Sequence, residues 1–316
     1  MKFSQVNGIA PPNDPSYMPT ATRMVSEVML QSHPLLQFLD FYTHIGNADT
    51  PRSMGVSTGG TYRALEGDYS ASAATPQFGA TALKVFGDSF TADQAYIRRS
   101  IDIAGYINDE LKVFAEQIAL NLAEQFVHGD VTTPTHFDGI AELCPAAQKV
   151  PMGTDGASFP LGNSDANRTD QQEFMEALDL AISMARGGTR FIIMSSKLHS
   201  RISSVWREAF RWQAGPAVPG EMIPYYNGIP IIPAGYAADG DPILPSTEEQ
   251  GTSGAVCTSL YVVATGEKTR FTVATNTGMN VYMSTASEKR RVTVEGDFCP
   301  VLLDSKAISA VTGIIL

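Results

Sequence analysis

The sequence predicts an α+β fold with intermingled helices and strands, an extended front end and a long β-ribbon. Residues 1–20 carry four prolines, and residues 55–92 are rich in Gly, Ser, Thr and Ala without helical periodicity. Residues 106–127 carry apolar side chains at helical spacing. We therefore expect a packed body of helices and strands from which two extended segments project.

The front end is expected to be an extended, unpacked arm. Proline fixes φ and removes a backbone donor, so the prolines of residues 1–20 disfavour a helix or an inner strand. Thr20 or Thr22 can cap a short helix that runs to about Ser32. The apolar residues 35–45 that follow form a helix or a strand that other residues must cover.

Residues 55–92 are predicted to form a long two-stranded hairpin with its tip at residues 69–77. At 3.3 Å per residue, a hairpin of this length would extend about 45 Å from its base to its tip. A two-stranded ribbon alone in water is marginally stable, so we expect it to lie on a neighbouring copy of the chain. The partial alternation that supports the two arms falls at Tyr62, Ala64 and Glu66 and at Leu83, Val85 and Gly87.

Residues 106–127 are predicted to form one long helix of about 33 Å. Gly129 is expected to cap its C-terminus. The apolar side chains that recur three or four residues apart are Ile107, Leu111, Phe114, Ile118, Leu122 and Phe126.

The remaining chain alternates helices and strands. Residues 145–169 are expected to be a loop, and a helix begins at Asp170. A buried strand follows over residues 190–194, and Ser195 or Ser196 opens the next helix. Residues 306–311 are a short helix or a strand end, and further strands are predicted at 225–233, 259–264, 270–275, 280–283, 289–295 and 300–303.

Composition excludes some classes of function. The net charge of −11 argues against a dedicated nucleic-acid binder, although an acidic wall can still enclose DNA. Apolar stretches are too short to span a membrane, and the first 15 residues have no secretory h-region, so we expect folding in a reducing, soluble compartment. Cys144, Cys257 and Cys299 form no CxxC pair and are expected to be buried hydrophobic residues.

The sequence predicts no catalytic, cofactor-binding or metal-binding residue, and no cofactor. His128 and His136 lack the spacing of metal ligands. Residues 266–269 (GEKT) lack the upstream glycine of a phosphate-binding loop and are expected to form a hairpin turn. Residues 239–241 (DGD) lack calcium-loop spacing and are expected to form an acidic surface turn.

Several short motifs occur in a defined order along the chain. They are FVHGD at 126–130, FDGI at 137–140, FIIMS at 191–195 and NGIPII at 227–232. Together with the arm, ribbon and long helix, this order resembles the major capsid protein family of tailed bacteriophages. Its Hong Kong 97-like fold is shared with encapsulin nanocompartments.

The resemblance implies a division of the chain. A peripheral domain is built around a spine helix, and an axial domain mixes helices with a sheet. The implied segments are an N-terminal arm at 1–34, the peripheral domain at 35–54 and 93–169 with spine helix 106–127, an extended loop at 55–92, the axial domain at 170–285 and a return to the peripheral domain at 286–316.

The resemblance also implies a structural, non-enzymatic function. Copies would assemble as pentamers and hexamers into an icosahedral head around a phage genome, without sequence-specific DNA contacts or a membrane. Assembly would occur in the bacterial cytoplasm and the product would be the virion. Scaffolding, portal and decoration proteins are the further partners implied, with a separate scaffold or none.

Loop details follow from the same resemblance. Loop glycines would act as hinges during capsid maturation, and Lys84 lies where some relatives form a covalent crosslink, although a solvated lysine is the simpler interpretation. Deletion of residues 58–90 is expected to leave a folded subunit that forms no closed shell. Two alternatives stay open, an encapsulin-like compartment shell and a two-domain soluble enzyme. The hinge glycines are Gly55, Gly59, Gly60, Gly67 and Gly79.

Overall fold

The computed structural model describes residues 2–6, 16–49, 52–54, 62–63, 65, 68, 76–78, 81–93, 95, 99, 103–161, 164–206, 211–214, 222–252, 254–266, 269–286 and 289–316. The α-helices are α1 (Phe3–Val6), α2 (Pro19–Ser32), α3 (Leu35–Phe38), α4 (Ile103–His128), α5 (Ile140–Leu143), α6 (Asp165–Met184) and α7 (Ser196–Val205).

The strands before α7 are β1 (Phe41–Thr43), β2 (Ala48–Asp49), β3 (Arg52–Met54), β4 (Pro76–Phe78), β5 (Thr81–Ala82), β6 (Lys84–Asp93), β7 (Lys149–Pro151), β8 (Ala157–Ser158) and β9 (Thr189–Met194). Those after it are β10 (Arg211–Ala214), β11 (Met222–Tyr226), β12 (Ile229–Pro233), β13 (Glu248–Glu249), β14 (Val256–Thr265), β15 (Phe271–Thr275), β16 (Asn280–Ala286), β17 (Lys289–Leu302) and β18 (Ile308–Ile315).

One large mixed sheet organises the body, in the order β10-β11-β12-β9-β14-β15-β17-β16. β18 pairs antiparallel with β14, and β7 and β8 pair parallel with β18. β6 runs antiparallel to β17 from Lys84↔Phe298 to Asp93↔Lys289. This topology joins the C-terminal strands to three distant parts of the chain.

The spine helix α4 carries the largest core, as its apolar periodicity predicts. The predicted residues 106–127 lie within the observed helix Ile103–His128. Phe114 is half-buried and packs against the core edge. The other predicted positions are buried, namely Ile107, Leu111, Ile118, Leu122 and Phe126.

Aromatic rings join four segments at the C-terminal end of α4. Phe126 stacks on Phe137 at 5.4 Å and meets Phe298 of β17 edge-on at 6.0 Å. Phe41 of β1 meets Phe126 at 6.3 Å and Phe298 at 6.4 Å. Such edge-to-face pairs add about 0.5–1.5 kcal/mol each beyond the area they bury.

A second core lies under α6 and α7. Phe174, Leu178 and Ile182 of α6 are buried, and Leu198 and Ile202 of α7 complete this side. The helix predicted from Asp170 begins earlier, at Asp165. Its first turn is capped because the Ser164 hydroxyl accepts a hydrogen bond from the Asn167 N–H at 3.3 Å.

The described front end is packed onto the body, so the prediction of an unpacked arm over residues 1–20 is wrong there. Phe3 has no exposed surface, and its ring meets Phe41 edge-on at 5.3 Å. Lys2 Nζ pairs with the Asp40 carboxylate at 2.8 Å. The prolines restrict only the backbone around themselves, and Phe3 lies before them. Residues 7–15 lie outside the described part.

Residues 16–18 also join the body, because the Met18 N–H donates to the Val281 carbonyl of β16 at 2.9 Å. The short helix that runs to Ser32 is confirmed as α2, but the predicted cap is wrong, because Met18 is the N-cap and Thr20 and Thr22 lie inside the helix. Its first residue is a proline, a favoured N1 residue. Residues 35–45 contain both alternatives that the sequence left open, the helix α3 and the strand β1.

The hairpin predicted over residues 55–92 has different boundaries. Its described pairing lies at the base, where Arg52 pairs with Phe78 and Ala48 with Ala82. Residues 84–93 belong to the main sheet as β6, so deletion of residues 58–90 would remove most of a strand that pairs with β17. The sequence places apolar alternation on Leu83, Val85 and Gly87, whereas the inward side chains are Phe86, Phe90 and Ala92.

Other strand boundaries also differ from prediction. The loop predicted at 145–169 contains β7 and β8. The single strand predicted at 225–233 is a hairpin, β11 and β12, around Asn227 (φ 49°) and Gly228 (φ 77°), which suits a type I′ turn. The strands predicted at 289–295 and 300–303 are one strand, β17, and residues 306–311 lead into β18.

Gly129 follows α4, as expected, but for another reason. Its φ is not positive, so it is not a left-handed cap. Its N–H donates to the Gln125 carbonyl at 2.8 Å, and a Cβ atom there would clash with the Phe137 carbonyl oxygen. Glycine is needed because the chain returns this close to the helix end.

Across the part of the chain that the structure describes, no helix has both the length and the apolar character needed to cross a membrane.

Candidate interaction surface

The described histidines are not gathered into a metal site. Over the described ranges no three His, Cys, Asp or Glu side chains are placed to hold a metal ion. His128 lies at the end of α4 and His136 in the loop that follows it. His33 is buried and its Nε2 lies 2.8 Å from the Ala234 carbonyl, and burial lowers the pKa of its imidazole.

The three cysteines are buried, as the sequence predicts, and none of them forms a disulfide with a described residue. Burial raises the pKa of the Cys144 thiol to about 11, which keeps it protonated and weakly nucleophilic. Cys144, Cys257 and Cys299 therefore serve as small core side chains in this fold.

The turns at residues 239–241 and 266–269 have ordinary backbone roles. Residues 239–241 form the predicted surface turn, in which the Asp241 N–H donates to the Asp239 carboxylate at 3.0 Å. Residues 266–269 join β14 to β15, but these strands share one parallel pair, Thr265↔Phe271, so the predicted hairpin turn is wrong. Residues 267 and 268 lie outside the described part.

Lys84 begins β6 and lies close to the body of the chain. Its Nζ donates to the Pro134 carbonyl in the loop after α4, at 2.6 Å. This bond ties the base of the ribbon to the end of the spine helix.

The described ribbon consists of β2 with β5 and β3 with β4, and each pair is a sheet of two strands. Between β3 and β4, the described Tyr62 and Leu65 have relative exposures of 106% and 97%. Large apolar side chains so fully exposed are costly in water, at roughly 1.5–3 kcal/mol per side chain relative to burial. The ribbon therefore presents an apolar surface that the chain itself leaves uncovered at these residues. The five proposed hinge glycines fall outside the described residues.

A second exposed apolar patch lies at the edge of the main sheet. β10 is the last strand in the sheet order, and its Trp212 is 43% exposed. Met222 of the adjacent strand β11 is 53% exposed. An exposed apolar edge strand is a template for pairing with another chain. β10 is not predicted from the sequence, although an aromatic residue between polar neighbours in RWQA is a usable strand signal.

Solved structures of known proteins are similar to this chain in fold. No protein-family model and no curated protein matches the sequence. The holo-SrpI encapsulin complex from Synechococcus elongatus PCC 7942 is similar over 97% of this chain and 93% of that chain, with a TM-score of 0.62 and 10% identity. The capsid of a native GTA particle is similar over 97% of this chain and 96% of that chain, with a TM-score of 0.59 and 14% identity.

A third similar structure comes from Mycobacterium phage Bobi. It covers 90% of this chain and 89% of that chain, with a TM-score of 0.55 and 10% identity. At such identities the likeness establishes the fold, and it extends over nearly the full length of each chain. The predicted fold class is confirmed, and this chain has the α+β, Hong Kong 97-like fold found in phage capsids and encapsulin shells.

Proposed function

We propose that this chain is the major capsid protein of a tailed bacteriophage. It self-assembles as pentamers and hexamers into the icosahedral head that encloses the genome. The observation that carries this proposal is a shell-protein fold over the full chain combined with a ribbon whose described apolar side chains, Tyr62 and Leu65, are fully exposed.

The ribbon needs a partner surface. β2 pairs with β5 and β3 with β4, and an isolated two-stranded ribbon is marginally stable in water. Contact with a second copy would bury Tyr62 and Leu65 and stabilise the paired strands. Each contact is modest, but closure of a shell repeats it around every subunit, as multivalent binding does.

The edge strand β10 offers a second contact between copies. Its exposed Trp212, together with Met222, would be covered by a neighbouring subunit. The same patch must serve in rings of five and of six copies. Contact through one aromatic residue and one flexible Met tolerates the small change of angle between such rings.

We propose the division into domains that the resemblance implies. The peripheral domain would comprise 35–54 and 93–169 with the spine helix, and the axial domain 170–285. The chain would return to the peripheral domain at 286–316. The two cores do not follow these bounds: the core around α4 includes Phe191 and Phe271 of the axial range, and the core under α6 and α7 includes Phe159 and Val311 from outside it. We place the projecting part of the extended loop between β2 and β5, because β6 lies in the main sheet.

The remaining features of the proposal concern charge, partners and place. A net charge of −11 is compatible with a shell that encloses DNA without binding it tightly. The chain would have no enzymatic role and would act with scaffolding, portal and decoration proteins. It would assemble in the host cytoplasm and remain in the virion.

An encapsulin-like shell is the second candidate function. The similarity to the Synechococcus elongatus encapsulin complex, with a TM-score of 0.62, favours it as an alternative. Both functions require the same closed shell and differ in its content, a genome in one and a protein cargo in the other.

Electron microscopy of the purified protein tests the shared claim. Closed shells of uniform size are expected, and a monomer that forms no particle at high concentration would favour the soluble-enzyme alternative. Particles recovered from the native source then separate the two shells. Packaged DNA supports the capsid, and a protein cargo without DNA supports the compartment.

A further inference from the structure

A buried histidine joins the end of α2 to the segment that follows β12. His33 is the C-cap residue of α2 and is 2% exposed. Its Nε2 lies 2.8 Å from the Ala234 carbonyl oxygen, and its Nδ1 accepts a hydrogen bond from the Leu35 N–H at 3.2 Å. Because a carbonyl oxygen only accepts, Nε2 carries the proton and Nδ1 the lone pair, so the ring is neutral in this arrangement.

The hydrogen bond from Leu35 has no substitute within its own helix. Leu35 is the first residue of α3, a helix of one turn, and the N–H groups of a first turn have no partner inside their helix. Leu35 has no exposed surface. A buried N–H that loses its acceptor destabilises the structure around it. The His33 ring therefore supports the start of α3.

The backbone on the other side of the ring is shaped to receive it. Gly235 has a φ of 72°, and a Cβ atom there would lie 3.4 Å from His33 Nε2. The left-handed φ and the close approach both favour glycine. The Ala234 N–H donates to the Met194 carbonyl at 2.8 Å, and the Gly235 carbonyl accepts from the Ile243 N–H at 3.2 Å. The acceptor of His33 is thus held on both sides.

Protonation of the ring removes one of its two hydrogen bonds. Both nitrogens of an imidazolium are donors, so Nδ1–H would face the Leu35 N–H with no acceptor between them. Burial lowers the pKa of His33 below 6.5, while the bond to Ala234 acts in the opposite direction. An opened corner takes up the proton near the ordinary value, so the closed corner is fully stabilised above about pH 6.5 and loses stability as pH falls below it.

The charged side chains of the surrounding elements have other partners. Arg23 and Glu27, the charged residues of α2, pair with each other at 3.3 Å and are mostly exposed. The helix α3 and the strand β12 contain no titratable side chain. The aspartates of the turn at 239–241 act on Glu124 of α4.

A second histidine faces the same corner from α7. His199 lines a small cavity together with Pro34, the residue that follows His33. Burial lowers the pKa of His199 as well. Of the other charged residues of α7, Lys197 is exposed and Arg201 donates to the Phe159 carbonyl at 3.1 Å. His199 is therefore the titratable group that an experiment must separate from His33.

The corner borders the exposed patch at the edge of the main sheet. Pro34 and Pro233, next to the two residues that the bond of His33 joins, line the cavity of about 90 Å³ with His199, Trp212 and Met222. Movement of the corner between α2 and α3 would therefore change the shape of this patch.

We propose that His33 is a proton-operated latch. In its neutral form it fixes the corner between α2 and α3 to residues 233–235, and protonation in mildly acidic solution opens that corner and the cavity beside Trp212. The latch lies within one subunit and does not depend on the proposed shell function.

Hydrogen–deuterium exchange of the full-length protein at pH 7.5 and pH 5.5, corrected for intrinsic exchange rates, tests the proposal. Amides 35–39 of the unchanged protein should lose protection by about three- to tenfold at the lower pH, because one proton changes an equilibrium by at most about tenfold per pH unit. His33→Gln cannot titrate and should be equally protected at both pH values. His199→Gln is the matched control and should keep the pH dependence.

Loss of the pH dependence in His33→Gln, with its retention in His199→Gln, supports the latch. The proposal is overturned by equal protection of the unchanged protein at both pH values. It is also overturned by a pH dependence that persists in His33→Gln or disappears in His199→Gln. Should His33→Gln lose its native circular dichroism spectrum, His33→Asn replaces it, because its Oδ1 offers an acceptor to the Leu35 N–H, and the same loss of pH dependence is expected.

Discussion

Gly139 donates its N–H to the carbonyl of Gly129 at 2.8 Å, so the chain after α4 returns backbone to backbone against the end of the helix. A Cβ atom on Gly139 would lie 2.7 Å from the Gly129 nitrogen and from the Val127 carbonyl oxygen. The two glycines therefore explain the paired motifs FVHGD and FDGI as one structural contact. This contact also sets Phe137 against Phe126 at 5.4 Å.

We predict that Gly139→Ala destabilises the folded chain by about 1–3 kcal/mol, since backbone atoms must separate to admit the methyl group. Thermal or urea unfolding measures the change. Gly266→Ala is the matched control, because its Cβ would meet the movable Thr269 hydroxyl at 2.8 Å. Equal stability of both variants would show that the close approach is not needed.

The buried front end gives a second prediction. Phe3→Ala should lower the free energy of unfolding by about 3–5 kcal/mol, because it opens a cavity beside Phe41. Gln5→Ala, at an exposed position of the same helix, should change it little. Urea unfolding of both variants measures these free energies. If Phe3→Ala were as stable as the unchanged protein, the front end would be an unpacked arm after all.

The spine helix carries a pH-dependent carboxyl. Burial, and then the charges of Asp239 and Asp241, raise the pKa of Glu124 above its ordinary value of 4.5. The native state therefore holds a proton more tightly than the unfolded state, and stability falls as pH rises through the raised pKa. Solvent screening limits the effect to below about 1 kcal/mol.

We predict that Glu124→Gln raises the melting temperature at pH 7 and leaves it nearly unchanged at pH 3.5, where the carboxyl is protonated in both states. Calorimetry across this pH range provides the measurement. Glu116→Gln, at an exposed position of the same helix, is the control and should show no such difference. A gain for Glu124→Gln that is equal at both pH values would contradict the assignment.

The exposed ribbon residues give a prediction about assembly. Replacing Tyr62 and Leu65 together by Ser should weaken association between copies and leave the stability of the subunit unchanged, since neither side chain is buried in it. Sedimentation velocity reports the assembled fraction. Serine at Ile45, a similarly exposed apolar residue outside the paired ribbon strands, serves as the comparison. Unchanged assembly of the double variant would argue against ribbon contacts.

Local periodicity made the helices predictable, and distant pairing made the strand boundaries hard to predict. α4, α6 and α7 repeat apolar residues at helical spacing, so a window of sequence identifies them. β6 resembles a hairpin arm in sequence because its partner, β17, lies about 200 residues away. β7 and β8 are two or three residues long and exist through pairing with β18, which no local pattern shows.

The candidate interaction surface was likewise predictable where it depends on local composition and not where it depends on distant contacts. The glycine-rich composition of residues 55–92 pointed to a ribbon, and its base and exposed side chains are there. The burial of Phe3 depends on the Phe41 ring, 38 residues along the chain, and this contact leaves no spacing signal in the sequence.

A variant with a shortened ribbon tests the central claim of shell assembly most directly. Residues 55–75 are replaced by Asn-Gly, a two-residue turn that joins the paired residues Met54 and Pro76. β6 and its Phe90 contact with Phe114 at 5.2 Å stay intact. Electron microscopy and calorimetry of this variant should show a subunit with an unchanged melting transition and no closed shells. Intact shells from the shortened chain would contradict the account.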